Sequence, residues 1–205
     1  MTDTIRRVFR SIHFRYHGAM GWLSVDLSEA VCDGAISAFG RPIIIVCPGS
    51  SIQLGSGAML ISKSFATVLG VNHPVVLRTL LTGAKIAIGK RVGISGGSIC
   101  AAHLVDIGED TLLGANVTVA DTDFHSTNPY HRSGHSGAIV CTRDVVIGKR
   151  VFIGTNSIVL KGTTIGDNSV IGVGSVITGQ IPENVVAAGN PCRLLRHFTP
   201  EEMRP

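Results

Sequence analysis

Aromatic residues are scarce in this sequence, 5% of 205 positions, and charged residues reach only 16% against 44% hydrophobic. A core short of rings must be filled by aliphatic side chains on narrow elements, and 25 glycines supply the tight corners such elements need. No apolar run reaches the roughly 18 residues of a membrane-spanning helix. The opening stretch MTDTIRRVFRSIHFRYHGAMG is interrupted by Arg, His and Tyr. It lacks the apolar segment of a secretory signal, so the expected location is the cytoplasm. The five cysteines are an odd number without a CxxC pair. That excludes a disulfide framework or zinc knuckle and reads as reduced thiols, with Cys100 and Cys141 as small buried filler. The net charge of +4 comes without clustered Lys and Arg beside stacking aromatics. A nucleic-acid partner is therefore not expected, and an anionic cofactor accounts for the excess.

What is present is a repeat. From Val145 to Ile177 an aliphatic recurs every sixth residue: Ile147, Ile153, Val159, Ile165, Ile171, Ile177. Two places before each stands Val145, Val151, Ser157, Thr163, Ser169 or Ser175, and Gly follows at 148, 154, 166 and 172. A period of six suits neither an amphipathic helix nor an ordinary meander. It predicts a short strand plus a tight corner, three units closing one triangular coil, with stacked coils burying a continuous aliphatic core.

The fold class expected is all-β: one domain over 1–205, with a cap segment at 1–34, a parallel β-helix over 35–181 and a tail over 182–205. Residues 1–20 predict a short helix with Ile5, Val8, Phe9 and Ile12 on one face. Its arginines allow at most weak contact with an anionic membrane surface. Leu54 and Leu60 begin a degenerate repeat, residues 62–82 lose the period, and Ile88 and Ile94 resume it. It slips near 100 and continues through Ala101, Ile107, Leu113 and Val119. Between Val119 and Ile147 the polar, histidine-bearing run DTDFHSTNPYHRSGHSGAIVCTRD cannot coil, which predicts a loop extruded over 120–144. Thr199-Pro200-Glu201-Glu202 reads as a cap and first turn, predicting a brief C-terminal helix.

The segment VVIGKRVFIGTNSIVLKGTTIGDNSVIGVGSVITGQIPENVVAAGNPCRLLR resembles the hexapeptide-repeat acyltransferases, in particular the branch of galactoside, maltose and polysaccharide O-acetyltransferases. The resemblance implies a left-handed parallel β-helix, against the usual hand of parallel crossovers. It implies an acetyl-CoA-dependent O-acetyltransferase working as a homotrimer on a saccharide hydroxyl, with no metal. It also carries a catalytic role to His125, where Ser126 replaces the family's usual proline. Transfer from a thioester to a hydroxyl needs a group that takes the hydroxyl proton and returns one to sulfur. An imidazole can do both, with Asp121 or Asp123 to orient it.

By motif position, Gly154, Thr155, Val173 and Thr178 match residues contacting coenzyme A, and Arg193 and Arg196 match those near its phosphates. The family's lysine after the matching threonine is here Gly179, which shifts phosphate contact toward Lys161, Arg193 and Arg196. Ser95, His103 and His131 are candidate acceptor contacts, and His135 lies deeper in the loop. Serine or xenobiotic acetylation, a metal enzyme like the γ-class carbonic anhydrases, and a non-catalytic scaffold are the alternatives. The anhydrase reading would draw three zinc ligands from His103, His125, His131 and His135.

Overall fold

The computed structural model describes residues 30–132 and 140–204, preceded by the strands Ile12–His13 and Ser24–Val25. Successive strands visit three faces in turn and pair in parallel with the strand one coil later. Face one opens with Val31–Asp33, face two with Ser37–Phe39 and face three with Ile43–Ile45. The coil therefore begins at Val31, slightly before the boundary read from the repeat.

The six-residue period is visible as three stacked columns. On face one Leu54, Ile88, Ile107, Ile147, Ile165 and Ile181 lie in register. On face two the column is Ala38, Leu60, Ile94, Leu113, Ile153, Ile171 and Ala187. On face three it is Ile44, Leu77, Ile99, Val119, Val159 and Ile177. All are buried except Ile44, which is partly so. Fully burying such a side chain is worth about 1.5–3 kcal/mol, which a single coil cannot realise alone.

The small residues two places earlier are also interior. Ser157, Thr163, Ser169 and Ser175 are fully buried. Their hydroxyls donate to the carbonyls of Gly172, Ile177, Pro182 and Gly172, at 3.1, 3.1, 2.7 and 2.6 Å. A buried hydroxyl is tolerable there because a backbone carbonyl accepts from it, on the next coil for Ser157, Thr163 and Ser169 and within its own corner for Ser175. Corners follow from the same stacking. Asn116, Asn156, Asn168 and Asn184 sit at φ 62, 60, 61 and 58°, the left-handed region that asparagine tolerates. At Gly154 a Cβ would stand 2.6 Å from the Val173 nitrogen of the next coil, so only glycine fits.

The slip near 100 resolves differently from the expectation. The column residue is Ile99, in register with Leu77 and Val119, while Ala101 is a second inward residue of the same strand. Gly96 and Gly97 shorten the preceding corner by one residue. Gly96, at φ +54°, is pressed by Val71 at 2.5 Å from where its Cβ would be. Val71 belongs to an excursion over 62–75, built on the 3-10 turn Ser64–Ala66. The Ser64 hydroxyl clasps its ends, donating to Val71 O at 2.6 Å and accepting from Val71 N at 3.1 Å.

Both termini depart from expectation. The helix expected over 1–20 lies largely outside the described residues, and Ile12–His13 within it is a strand paired antiparallel with Ser24–Val25. That pairing takes its backbone partners from a later segment, which a helix would take from within. At the other end Arg193–His197 returns antiparallel against Val185–Ala188 on face two. The expected C-terminal helix is a single capped turn. Glu202 N donates to Thr199 Oγ1 at 3.4 Å, and Thr199 N donates to the Glu202 carboxylate at 2.9 Å. Among the described residues no helix is long and apolar enough to cross a membrane.

Candidate active site

The loop over 121–144 leaves the edge where face three passes to face one, between Thr118–Ala120 and Val145–Ile147. Its two limbs are joined at the base. Thr122 bridges Thr142, Arg143 N donates to Asp121 O at 2.9 Å, and Asp123 N donates to Cys141 O at 3.3 Å.

Asp121 is fully buried, and its carboxylate accepts three backbone N–H groups of the preceding corner. They are Ala102 on Oδ1 at 2.7 Å, and His103 and Leu104 on Oδ2 at 2.6 and 2.8 Å. Both oxygens are thereby engaged with the backbone. Asp121 therefore braces the coil beneath the loop, its two oxygens engaged by backbone N–H groups and not by an imidazole. Asp123 forms an ion pair with Lys161, one coil away, both side chains mostly covered. Lys161, expected near cofactor phosphates, is in this structure committed to the base of the loop.

His125 follows at once. Its backbone N–H donates to Asp123 O at 2.7 Å across Phe124, which sits at φ +60°. A positive φ is unusual for so bulky a residue and is retained only where surroundings over-determine it. The three-residue turn leaves His125 exposed above the braced edge. Ser126, standing where proline is usual, is buried and accepts Asn128 N at 3.2 Å. Asn128 in turn accepts Tyr130 N at 2.9 Å and caps the 3-10 turn Pro129–His131. The serine thus makes by hydrogen bonding the bend that proline would make by ring closure. His131 is exposed at the end of that turn, and His135 falls outside the described residues.

Beside the loop lies an open hollow of about 680 Å³, lined by Leu81, Ala102, His103, Thr142, Arg143, Asp144 and Gly162. The His103 ring Nδ1 pairs with Asp144 there. Arg143, its side chain laid over Gly162, puts a guanidinium at the hollow. The sequence had not singled it out. The signal was available, since it is the basic residue immediately before the repeat resumes.

Most of the remaining candidates lie elsewhere on the molecule. Gly154 and Val173 stand on the edge where face two passes to face three, Thr155 beside them, and Ser95 ends the strand Gly93–Ser95 on the same edge. Thr178 is exposed, just before Gly179, on the loop's own edge. Arg193 and Arg196 are on the last strand of face two. Arg196 is held by Glu202 through two bonds of 2.8 Å and lies 5.3 Å from the Phe198 ring centroid. In this structure it faces a carboxylate where a phosphate was expected. Arg196 and the Thr199 backbone hold the Glu202 carboxyl down to about 2. No three metal-ligating side chains converge among the described residues. Cys141 is exposed and Cys100 only half-buried, so neither is the filler expected.

Two family models match: bacterial transferase hexapeptide (six repeats) over 144–179, and the hexapeptide repeat of succinyl-transferase over 104–120. Galactoside O-acetyltransferase of Escherichia coli is 38% identical over 143 residues, 68% of this chain and 67% of that protein. The chain belongs to the hexapeptide-repeat acetyltransferase family. The putative lipopolysaccharide biosynthesis O-acetyl transferase WbbJ of Escherichia coli is 36% identical over 111 residues, 50% of this chain and 55% of that protein. A solved galactoside acetyltransferase in complex with coenzyme A is 25% identical with a TM-score of 0.51, covering 82% of this chain and 66% of that one. The chain thus spans between about half and two thirds of these family members. Its fold is the left-handed β-helix of hexapeptide repeats.

Proposed function

We propose that this chain is an acetyl-CoA-dependent O-acetyltransferase acting on a sugar hydroxyl, with His125 as general base. The hydroxyl oxygen attacks the thioester carbonyl while the His125 imidazole takes its proton. The tetrahedral adduct collapses with loss of the thiolate, which recovers a proton from the imidazolium. The products are an acetyl ester and free thiol, with no acyl-enzyme. Asp121 and Asp123 act as positioning residues, one through the corner at Ala102–Leu104 and the other through Lys161.

The observation that carries the reading is the division of the candidate residues between two edges of one β-helix. His125, His103 and Lys161 lie where face three meets face one, while Ser95, Gly154, Thr155 and Val173 lie where face two meets face three. One protomer does not bring them together. A homotrimer would, each loop edge meeting the other edge of a neighbour across a groove. Coenzyme A would then lie in that groove, beside Gly154, Thr155, Val173 and Thr178 and with Arg193 and Arg196 toward its phosphates. The similarity to galactoside O-acetyltransferase supports a sugar acceptor, with Ser95, His103 and His131 as candidate contacts.

The test is thiol release from acetyl-CoA with a panel of galactosides, glucosides and oligosaccharides, alongside equilibrium sedimentation. Acceptor-dependent thiol release by a three-chain particle is expected. A stable monomer, or no release with any saccharide at millimolar concentrations, would contradict the proposal.

A further inference from the structure

In a trimer that sets the loop edge of one copy against the other edge of the next, the two edges run side by side along the coil axis. A rotation that closes after three copies adds no translation along its axis, so coils of the same level meet. The excursion over 62–75 leaves the second coil, between Met59–Ile61 and Val76–Thr79, on the edge where face two passes to face three. It leans toward the following coils. Val71 is pressed against Gly96 on the third, and Asn72 N donates to Asn116 Oδ1 at 2.8 Å on the fourth. The hollow beside the loop occupies the same levels of the loop edge. Leu81 follows the second coil, Ala102 and His103 follow the third, and Thr142, Arg143 and Asp144 end the loop that leaves the fourth.

The tip of the excursion presents Phe65, Val68 and Leu69 at 73%, 102% and 75% exposure, on a backbone that is held in place. The Ser64 hydroxyl clasps Val71, and the buried Ser62 accepts Val75 N at 3.0 Å at the base. Large apolar side chains gathered on a fixed protrusion mark a contact surface. Opposite them, Leu81 of the hollow is itself exposed. We propose that the excursion of each copy closes over the hollow of its neighbour, with Phe65, Val68 and Leu69 packing toward Leu81 and Ala102 and forming an apolar wall of the saccharide site beside His125. An apolar wall facing His103 and Arg143 suits an acceptor with a C–H face on one side and hydroxyls on the other. Matching levels and continuity with the groove favour a second copy as the occupant. The inference rests on the trimeric O-acetyltransferase reading and adds to it the segment by which one chain completes the site of the next.

The experiment is thiol cross-linking of the full chain, which needs no acceptor. Cys141 is exposed at the base of the loop, next to Thr142 of the hollow. In Val68→Cys a short bis-maleimide should join the tip of one copy to Cys141 of the next, giving dimers and trimers on a denaturing gel. Wild type and V68C/C141S should stay at single-chain mass. Equilibrium sedimentation separates the two ways of failing. A three-chain particle without the Cys141-dependent cross-link would overturn the inference and leave the trimer standing, whereas a monomer would contradict the assembly and the inference with it. With the saccharide that supports thiol release, and at concentrations where the variant is trimeric, F65S/V68S/L69S should raise the acceptor KM at least about tenfold while leaving the acetyl-CoA KM within about twofold. An unchanged acceptor KM would remove the tip from the site.

Discussion

Asp121→Asn tests whether the site is braced from beneath the loop. The wild-type carboxylate lies at 0% exposure and accepts three N–H groups at 2.6–2.8 Å. Hydrogen bonds to a charged group contribute about 1.5–3 kcal/mol each. An asparagine oxygen can replace Oδ2 and keep the bonds from His103 and Leu104 in weaker, neutral form. Its NH2 would then face the Ala102 N–H, donor against donor, and leave that buried group unsatisfied at about 1–3 kcal/mol. Summed, the loss is about 3–5 kcal/mol, or a fall of roughly 6–20 °C in Tm for a chain of this size. Differential scanning calorimetry reads the first consequence. The second is a reduced kcat with near-normal affinity for coenzyme A, because the corner beneath His125 shifts while the other edge does not. A variant melting within about 2 °C of wild type with unchanged kcat would refute the argument.

Other outcomes follow from the same geometry. Gly154→Ala places a methyl 2.6 Å from backbone of the next coil. It should lower stability by about 3 kcal/mol, read as a shift in urea midpoint. The folded-state carboxyl of Glu202, held at about 2, lies below its ordinary value of 4.5. The Arg196–Glu202 contact therefore contributes fully above that ordinary value and is lost as pH falls through 2. Being at the surface, it should leave Tm at neutral pH nearly unchanged in Glu202→Gln. If Arg196 serves the cofactor phosphates, the same variant frees it and should lower the Kd for coenzyme A in calorimetry. An unchanged or raised Kd would remove Arg196 from that role. Burial pushes the Cys32 thiol up to about 11, whereas Cys141 is exposed. A thiol reagent at pH 8 should modify Cys141 rapidly and Cys32 very slowly, and Cys141→Ser should abolish the fast phase.

The core was legible because stacking imposes the period. Ile147, Ile153, Val159, Ile165, Ile171 and Ile177 fall in the three columns that six-residue spacing requires, each at 1% exposure or less. Ser157 and Ser175 were legible as small, but the bond from Ser157 to Gly172 O depends on a neighbouring coil that a linear pattern does not display. The excursion at 62–75 showed in the sequence as a loss of period that left a longer strand or a short excursion open, while the exposure of Phe65, Val68 and Leu69 is not legible from their apolar character. Its contact with Gly96 falls at the corner just before Ile99, where the register shifts. Around the loop the residue types were readable and their partners were not. Asp121 and Asp123 look alike in DTDFH, yet one meets three backbone amides and the other Lys161, pairings set by coils 17 to 38 residues away in sequence.

The central claim is that His125 moves the proton, and the direct measurement is steady-state kinetics of His125→Ala beside calorimetric titration with coenzyme A. General-base catalysis by a positioned imidazole is worth about 10²–10⁴ in rate. The account predicts a fall of that size in kcat with a Kd for coenzyme A within about twofold of wild type, because the proposed cofactor groove draws on the other edge and the last coils. Full activity in His125→Ala would contradict it.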